Sequence, residues 1–105
     1  MDIEELEQFI GTHDGVMLYF SGENCGVCDA LKPKVKEVIE TNFPKIEQVY
    51  IKKEENIEIA SQVGVFSVPT IIVYLDGKEF LREGRNVSLV EFAAKLSRPY
   101  NMMFE

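Results

Sequence analysis

The sequence predicts an α/β fold: one mixed four-stranded sheet flanked by helices on both faces. Three observations carry this. Short apolar runs of strand length alternate with stretches of helical periodicity, in the order α-β-α-β-α-β-β-α. Strands separated by helices predict βαβ crossovers. Asp76-Gly77, between the last two runs, is a turn pair that closes two-residue hairpins, so the final strand forms an antiparallel edge.

Each element has a local cause. Asp2 is placed to cap a first helix whose Ile3, Leu6, Phe9 and Ile10 share a face, with Gly11 as its stop. Residues 16–20 read as a buried strand. Residues 25–41 read as a long helix with an apolar stripe of Leu31, Val35, Val38 and Ile39, kinked at Pro33. Residues 46–51 form a second strand between Pro44 and the charged run 52–55. Residues 56–63 form a short helix ended by Gly64. Strands follow over 70–75 and 78–83. Ser88-Leu89-Val90-Glu91 is a capping box opening a last helix, with Leu89, Phe92, Ala93 and Leu96 inward and Pro99 closing it. Residues 98–105 are then an apolar tail, expected to fold back on the chain, and the 105 residues make one domain.

Composition narrows the function. The net charge of −7 argues against nucleic acid and against anionic membrane surfaces, and mildly favours neutral or basic clients. No apolar run approaches the roughly 20 residues that span a bilayer. The acidic start, Met1-Asp2-Ile3-Glu4-Glu5, has no apolar signal region. Two cysteines are too few for a secreted disulfide scaffold. A cytoplasmic location is therefore expected, and the paired cysteines point to redox or metal chemistry in a reducing compartment.

Those cysteines are three apart, Cys25-Gly26-Val27-Cys28. An apolar strand ends just before them at Phe20, in the loop Ser21-Gly22-Glu23-Asn24, and a helix begins just after them. The unpaired amides and dipole of a helix N-terminus favour an anion, so a thiol placed there becomes a thiolate near neutral pH. Cys25 is the exposed nucleophile of such a pair, and Cys28, one turn later, is shielded. That division suits thiol–disulfide exchange. An inert pair is the plain alternative. Zinc needs four ligands, and two cysteines with the single histidine His13 supply an intrachain site poorly. His13 in its glycine-flanked loop reads as solvated, as do Lys32, Lys34 and Lys36 on their helix face.

The Cys-Gly-x-Cys after a buried strand, Pro33 five residues beyond Cys28, Val68-Pro69-Thr70 ahead of a strand, the turn Asp76-Gly77 and Gly84 after the last strand together resemble the thioredoxin family, over residues 14–97. The resemblance implies a thioredoxin-like fold with a cis Pro69 facing the cysteines. It also implies that Val68 and Pro69, with Gly26, Val27 and a loop at Gly84 and Arg85, form a platform where an extended substrate strand adds its backbone. The chain departs from the family pattern in five places. Asn24 and Val27 replace the tryptophan and proline of Trp-Cys-Gly-Pro-Cys. The family's buried aspartate falls on Tyr19 and its partner lysine falls near Tyr50. The family's N-terminal first strand is absent.

The expectation is a thiol–disulfide oxidoreductase that reduces protein disulfides through Cys25 and Cys28, with Tyr19, Glu23 and Asn24 as modulators. A thiol reductase would supply its electrons. No bound cofactor or metal is expected beyond the reversible Cys25–Cys28 disulfide, since no phosphate-binding glycine motif is present. The alternative is a binding module that holds a partner strand with little turnover.

Overall fold

Asp2 opens the first helix with reciprocal caps: its carboxylate accepts from the Glu5 amide at 2.8 Å, and the Glu5 carboxylate accepts from the Asp2 amide at 2.9 Å. The computed structural model describes residues 1–104. Helix α1 (Ile3–Thr12) runs through Gly11 instead of stopping there. Its last turn is closed by the Thr12 hydroxyl on the Gln8 carbonyl, and the chain leaves the helix at His13.

Strand β1 (Gly15–Ser21) is buried along residues 15–20 and has neighbours on both sides. Helix α2 (Gly26–Asn42) starts at Cys25 as N-cap and continues as one helix across Pro33. It returns the chain to β2 (Glu47–Lys52), which pairs parallel to β1 with Phe20 beside Ile51. A 3-10 turn over Lys53–Glu55 and helix α3 (Ile57–Val63) then lead to β3 (Thr70–Leu75).

Here the expected second crossover fails. β3 runs antiparallel to β1, with Phe20 opposite Thr70. The cause is length. Seven residues of α3, at about 1.5 Å each, cover about half the ~20 Å of a six-residue strand. The chain therefore re-enters the sheet at the end where it left, and β3 runs back. The Asp76-Gly77 turn, with both φ angles positive at 55° and 77°, folds β4 (Lys78–Glu83) antiparallel onto β3. The strand order is β2-β1-β3-β4.

Alternation along β1 divides the core. Met17 and Tyr19 face α2 and the last helix with Val35, Ile39, Phe92 and Leu96. Val16, Leu18 and Phe20 face α1 and α3 with Leu6, Ile10, Ile59 and Ala60. Helices thus cover both faces, as expected. The last helix, α4 (Leu89–Phe104), begins with the Ser88 hydroxyl accepting from the Glu91 amide at 3.3 Å.

Pro99 does not close α4; the helix continues through it to Phe104. An internal proline costs about 3 kcal/mol in a helix. Packing of the following turn offsets that cost. Tyr100 is buried, lies edge-on to Phe43 at 5.1 Å, and accepts a hydrogen bond from the Lys45 amide at 3.1 Å. The Phe104 ring lies 4.7 Å from that of Tyr100. As far as Phe104 the apolar tail thus packs on the body of the chain as a helix through Tyr100 and Phe104, with Met102 and Met103 exposed; Glu105 lies outside the described residues. None of the described helices is long and apolar enough to cross a membrane.

Candidate active site

The short α3 gathers the functional segments at one end of the sheet. Ser21 pairs with Lys52, Phe20 with Thr70, and Ile71 with Glu83. The loops following β1, β2 and β4, and the loop preceding β3, therefore all emerge together.

The β1 loop turns sharply at Asn24, whose φ of 52° lies in the left-handed region that asparagine tolerates better than most residues. Cys25 follows in extended conformation as the N-cap of α2, and its Sγ accepts a hydrogen bond from the Cys28 amide at 3.1 Å. Gly26, Val27 and Cys28 are the first three helical residues. Cys25 is half-exposed, Gly26 and Val27 are exposed, and Cys28 is buried. The two sulfurs are bonded at 2.08 Å, with Cα atoms 5.2 Å apart.

Behind the pair lies Tyr19, with no solvent exposure. A phenol in this place has the Cys28 sulfur as one candidate acceptor. It donates instead to the Cys28 backbone carbonyl, at 2.7 Å. Residue 19 alternates onto the α2 face of β1, and its ring reaches the carbonyl side of the first helical turn. Burial, reinforced by Asp29 and Tyr50, pushes this phenol up to about 12. It stays protonated across the physiological range. Tyr50 packs beside it with ring centroids 5.8 Å apart, donates to the Gln48 side chain, and carries the Lys32 ammonium 4.8 Å above its ring. Among the described residues no carboxylate is buried.

Val68 and Pro69 are joined by a cis peptide bond. Val68 touches the cysteine loop: a Cβ built on Gly22 would lie 3.1 Å from a Val68 methyl and 3.0 Å from the Glu54 carboxylate. Glycine is required there because these three segments meet at van der Waals distance. The Glu23 amide donates to the same Glu54 carboxylate at 3.2 Å, and the Glu23 side chain is exposed. Gly84 is exposed and faces the Pro69 carbonyl at 4.0 Å from its would-be Cβ. His13 lies apart, at the start of β1, with its ring stacked on Phe9 at 3.9 Å.

Three residues of this end went unremarked in the sequence. Glu54 lies 31 positions from its partner Glu23, and a charged run hides it. Asp29 sits in the first turn of α2. Phe66 is an apolar ring in an otherwise loop-forming stretch three residues before Pro69, and that position was its available signal.

A cysteine pair that closes on itself at a helix N-terminus, one residue half-exposed and the other buried, defines a thiol–disulfide oxidoreductase. The chain belongs to the thioredoxin family, whose model matches residues 2–97. The thioredoxin-like protein YdfQ of Bacillus subtilis is 36% identical over 97 residues, 92% of this chain and 86% of that one. The thioredoxin of the same organism is 37% identical over 68 residues, 64% of this chain and 65% of its own length. Thioredoxin 1 of Thermosipho africanus superimposes with a TM-score of 0.75 at 29% identity, covering 86% of this chain and 99% of that one.

Proposed function

We propose that the chain reduces protein disulfides by dithiol exchange, with Cys25 as nucleophile and Cys28 as resolving thiol. The supporting observation is the asymmetry of the pair: the half-exposed Cys25 at the helix N-cap, its sulfur bonded by the Cys28 amide, against the buried Cys28. The amide favours the thiolate at Cys25. That thiolate attacks a client disulfide, forming a mixed disulfide and releasing one client thiolate, which takes a proton from water. Cys28, once deprotonated, attacks the Cys25 sulfur and expels the second client thiolate, closing the Cys25–Cys28 bond. The client gains two electrons and the protein loses two. A thiol reductase acting by the same exchange returns them, with no bound cofactor.

The client would lie as an extended strand against Gly26, Val27, Val68, Pro69 and Gly84, using main-chain hydrogen bonds that tolerate many sequences. Water receives the Cys28 proton, because Tyr19 holds its own proton and bonds the carbonyl. Glu23 and Asn24 shape the solvent side of the pair, and the cytoplasm is the compartment that suits a reductant.

Reduction of insulin disulfides with dithiothreitol as donor tests turnover; a binding module would leave the rate at the uncatalysed level. Cys28→Ser should accumulate mixed disulfides through Cys25, and Cys25→Ser should not. Equal trapping by both variants, or by neither, contradicts the division of labour.

A further inference from the structure

The loop between α3 and β3 is held along its backbone while its one large apolar side chain is left in solvent. Arg82, fixed by Glu79 at 2.7 and 3.1 Å, donates to the Val63 carbonyl at 2.9 Å and the Gly64 carbonyl at 3.0 Å. The Val65 amide bonds the Ala60 carbonyl at 2.8 Å. Lys53 donates to the Phe66 carbonyl at 3.0 Å, and the Thr70 hydroxyl to the Ser67 carbonyl at 2.7 Å. The Phe66 side chain, on this fixed support, is 81% exposed. It rims a shallow hollow of about 270 Å³ that also meets Ser67, Thr70, Arg82, Glu83 and Gly84. The hollow's own lining reaches the substrate platform at Gly84, and two residues on from Phe66, Val68 packs against Gly22 of the cysteine loop. On the far side of that contact stand the exposed carboxylates of Glu23 and Glu54.

We propose that Phe66 is a specificity-determining contact of the exchange reaction, selecting client segments with an apolar side chain beside the reactive cysteine and a cationic one toward Glu23 and Glu54. This rests on the dithiol-exchange reading. The loop is pre-ordered, so little conformational entropy is lost when a client side chain covers the ring. The flanking carboxylates, in a chain of net charge −7, attract cationic clients and repel anionic ones.

The test uses the full chain and four disulfide substrates: hydroxyethyl disulfide, and three peptide disulfides. One peptide carries leucine and lysine on either side of its cysteine, one has glycine for the leucine, and one has glutamate for the lysine. The native protein should favour leucine over glycine about tenfold in kcat/KM, the order expected from taking part of an apolar side chain out of water. It should favour lysine over glutamate by about threefold at low salt. Phe66→Ala should abolish the leucine preference and keep the charge preference, each read as a ratio of kcat/KM within the variant; Phe66→Leu should retain the leucine preference. A leucine preference that is absent, or that survives Phe66→Ala, overturns the assignment of Phe66. Equal rates for lysine and glutamate peptides overturn the cationic half. A protein that reduces none of the four substrates overturns the exchange reading itself.

Discussion

Cys25 and Cys28 carry the same thiol, and their difference is one of surroundings. The Cys28 amide is the third helical N–H and reaches the Cys25 sulfur. Val27, one position earlier, keeps an amide that a proline would lack. Among the described residues no buried carboxylate opposes a thiolate, and Asp29 in the first turn of α2 is exposed, so solvent screens its charge. These effects stabilise the dithiol. A glutathione titration should place the potential above the ~−270 mV of thioredoxin and nearer the ~−200 to −230 mV of glutaredoxins, with Val27→Pro shifting it downward. A native value at or below thioredoxin's contradicts the argument. Tyr19 sets a second expectation. Its folded phenol titrates at about 12 against 10.0 for the free side chain. The folded state therefore holds this proton more tightly than the unfolded chain. The resulting stability is complete below pH 10 and is lost as pH rises toward 12. Tyr50 and Tyr74 are shifted in the same direction by burial and add to the effect. Urea unfolding at pH 8, 10 and 11.5 should show falling stability, and Tyr19→Phe should flatten the slope. The same variant should slow mixed-disulfide resolution only modestly, and resolution in the native protein should accelerate from pH 6 to 9, as water is the acceptor. A fast rate that is flat across that range would point to another group, Glu23 first.

At the scale of elements, legibility followed locality. The capped start of α1, the Asp76-Gly77 hairpin and Cys25 at the helix entry are decided by residues within four positions of each other, and the structure has them where the sequence puts them. The direction of β3 depends on how far α3 can carry the chain, which is a distance between elements and appears in no window of residues. Pro99 shows the same division. Read locally it ends a helix, but Phe43 and Lys45, more than 50 positions away, hold the following turn in place. Tyr19 reads from the sequence as a modulator of the pair, yet which atom its hydroxyl meets depends on how β1 and α2 pack. If tertiary contacts hold the final turn of α4, removing them should be costly. Tyr100→Ala is expected to destabilise the fold by about 3 kcal/mol, as for other large buried rings. Tyr100→Phe, which loses one hydrogen bond, should cost about 1 kcal/mol. Urea denaturation measures both. A Tyr100→Ala variant as stable as the native chain would mean that α4 carries Pro99 without help.

Seen whole, the molecule concentrates its chemistry at one end of the sheet and finishes the sheet with a strand that has a neighbour on one side only. The free flank of β2 is a row of backbone donors and acceptors, the kind of template onto which another chain can grow. Its middle residues, Gln48, Val49 and Tyr50, are only partly covered. What discourages accretion is brevity and two opposite charges, Glu47 and Lys52, at either end of six residues. Neutralising both should turn a guarded border into a seed. The Glu47→Val, Lys52→Val double variant is expected to form larger species in sedimentation velocity as concentration rises, with insulin reduction per folded chain unchanged. Identical sedimentation of variant and native protein would place the guard elsewhere, in the twist of the sheet itself.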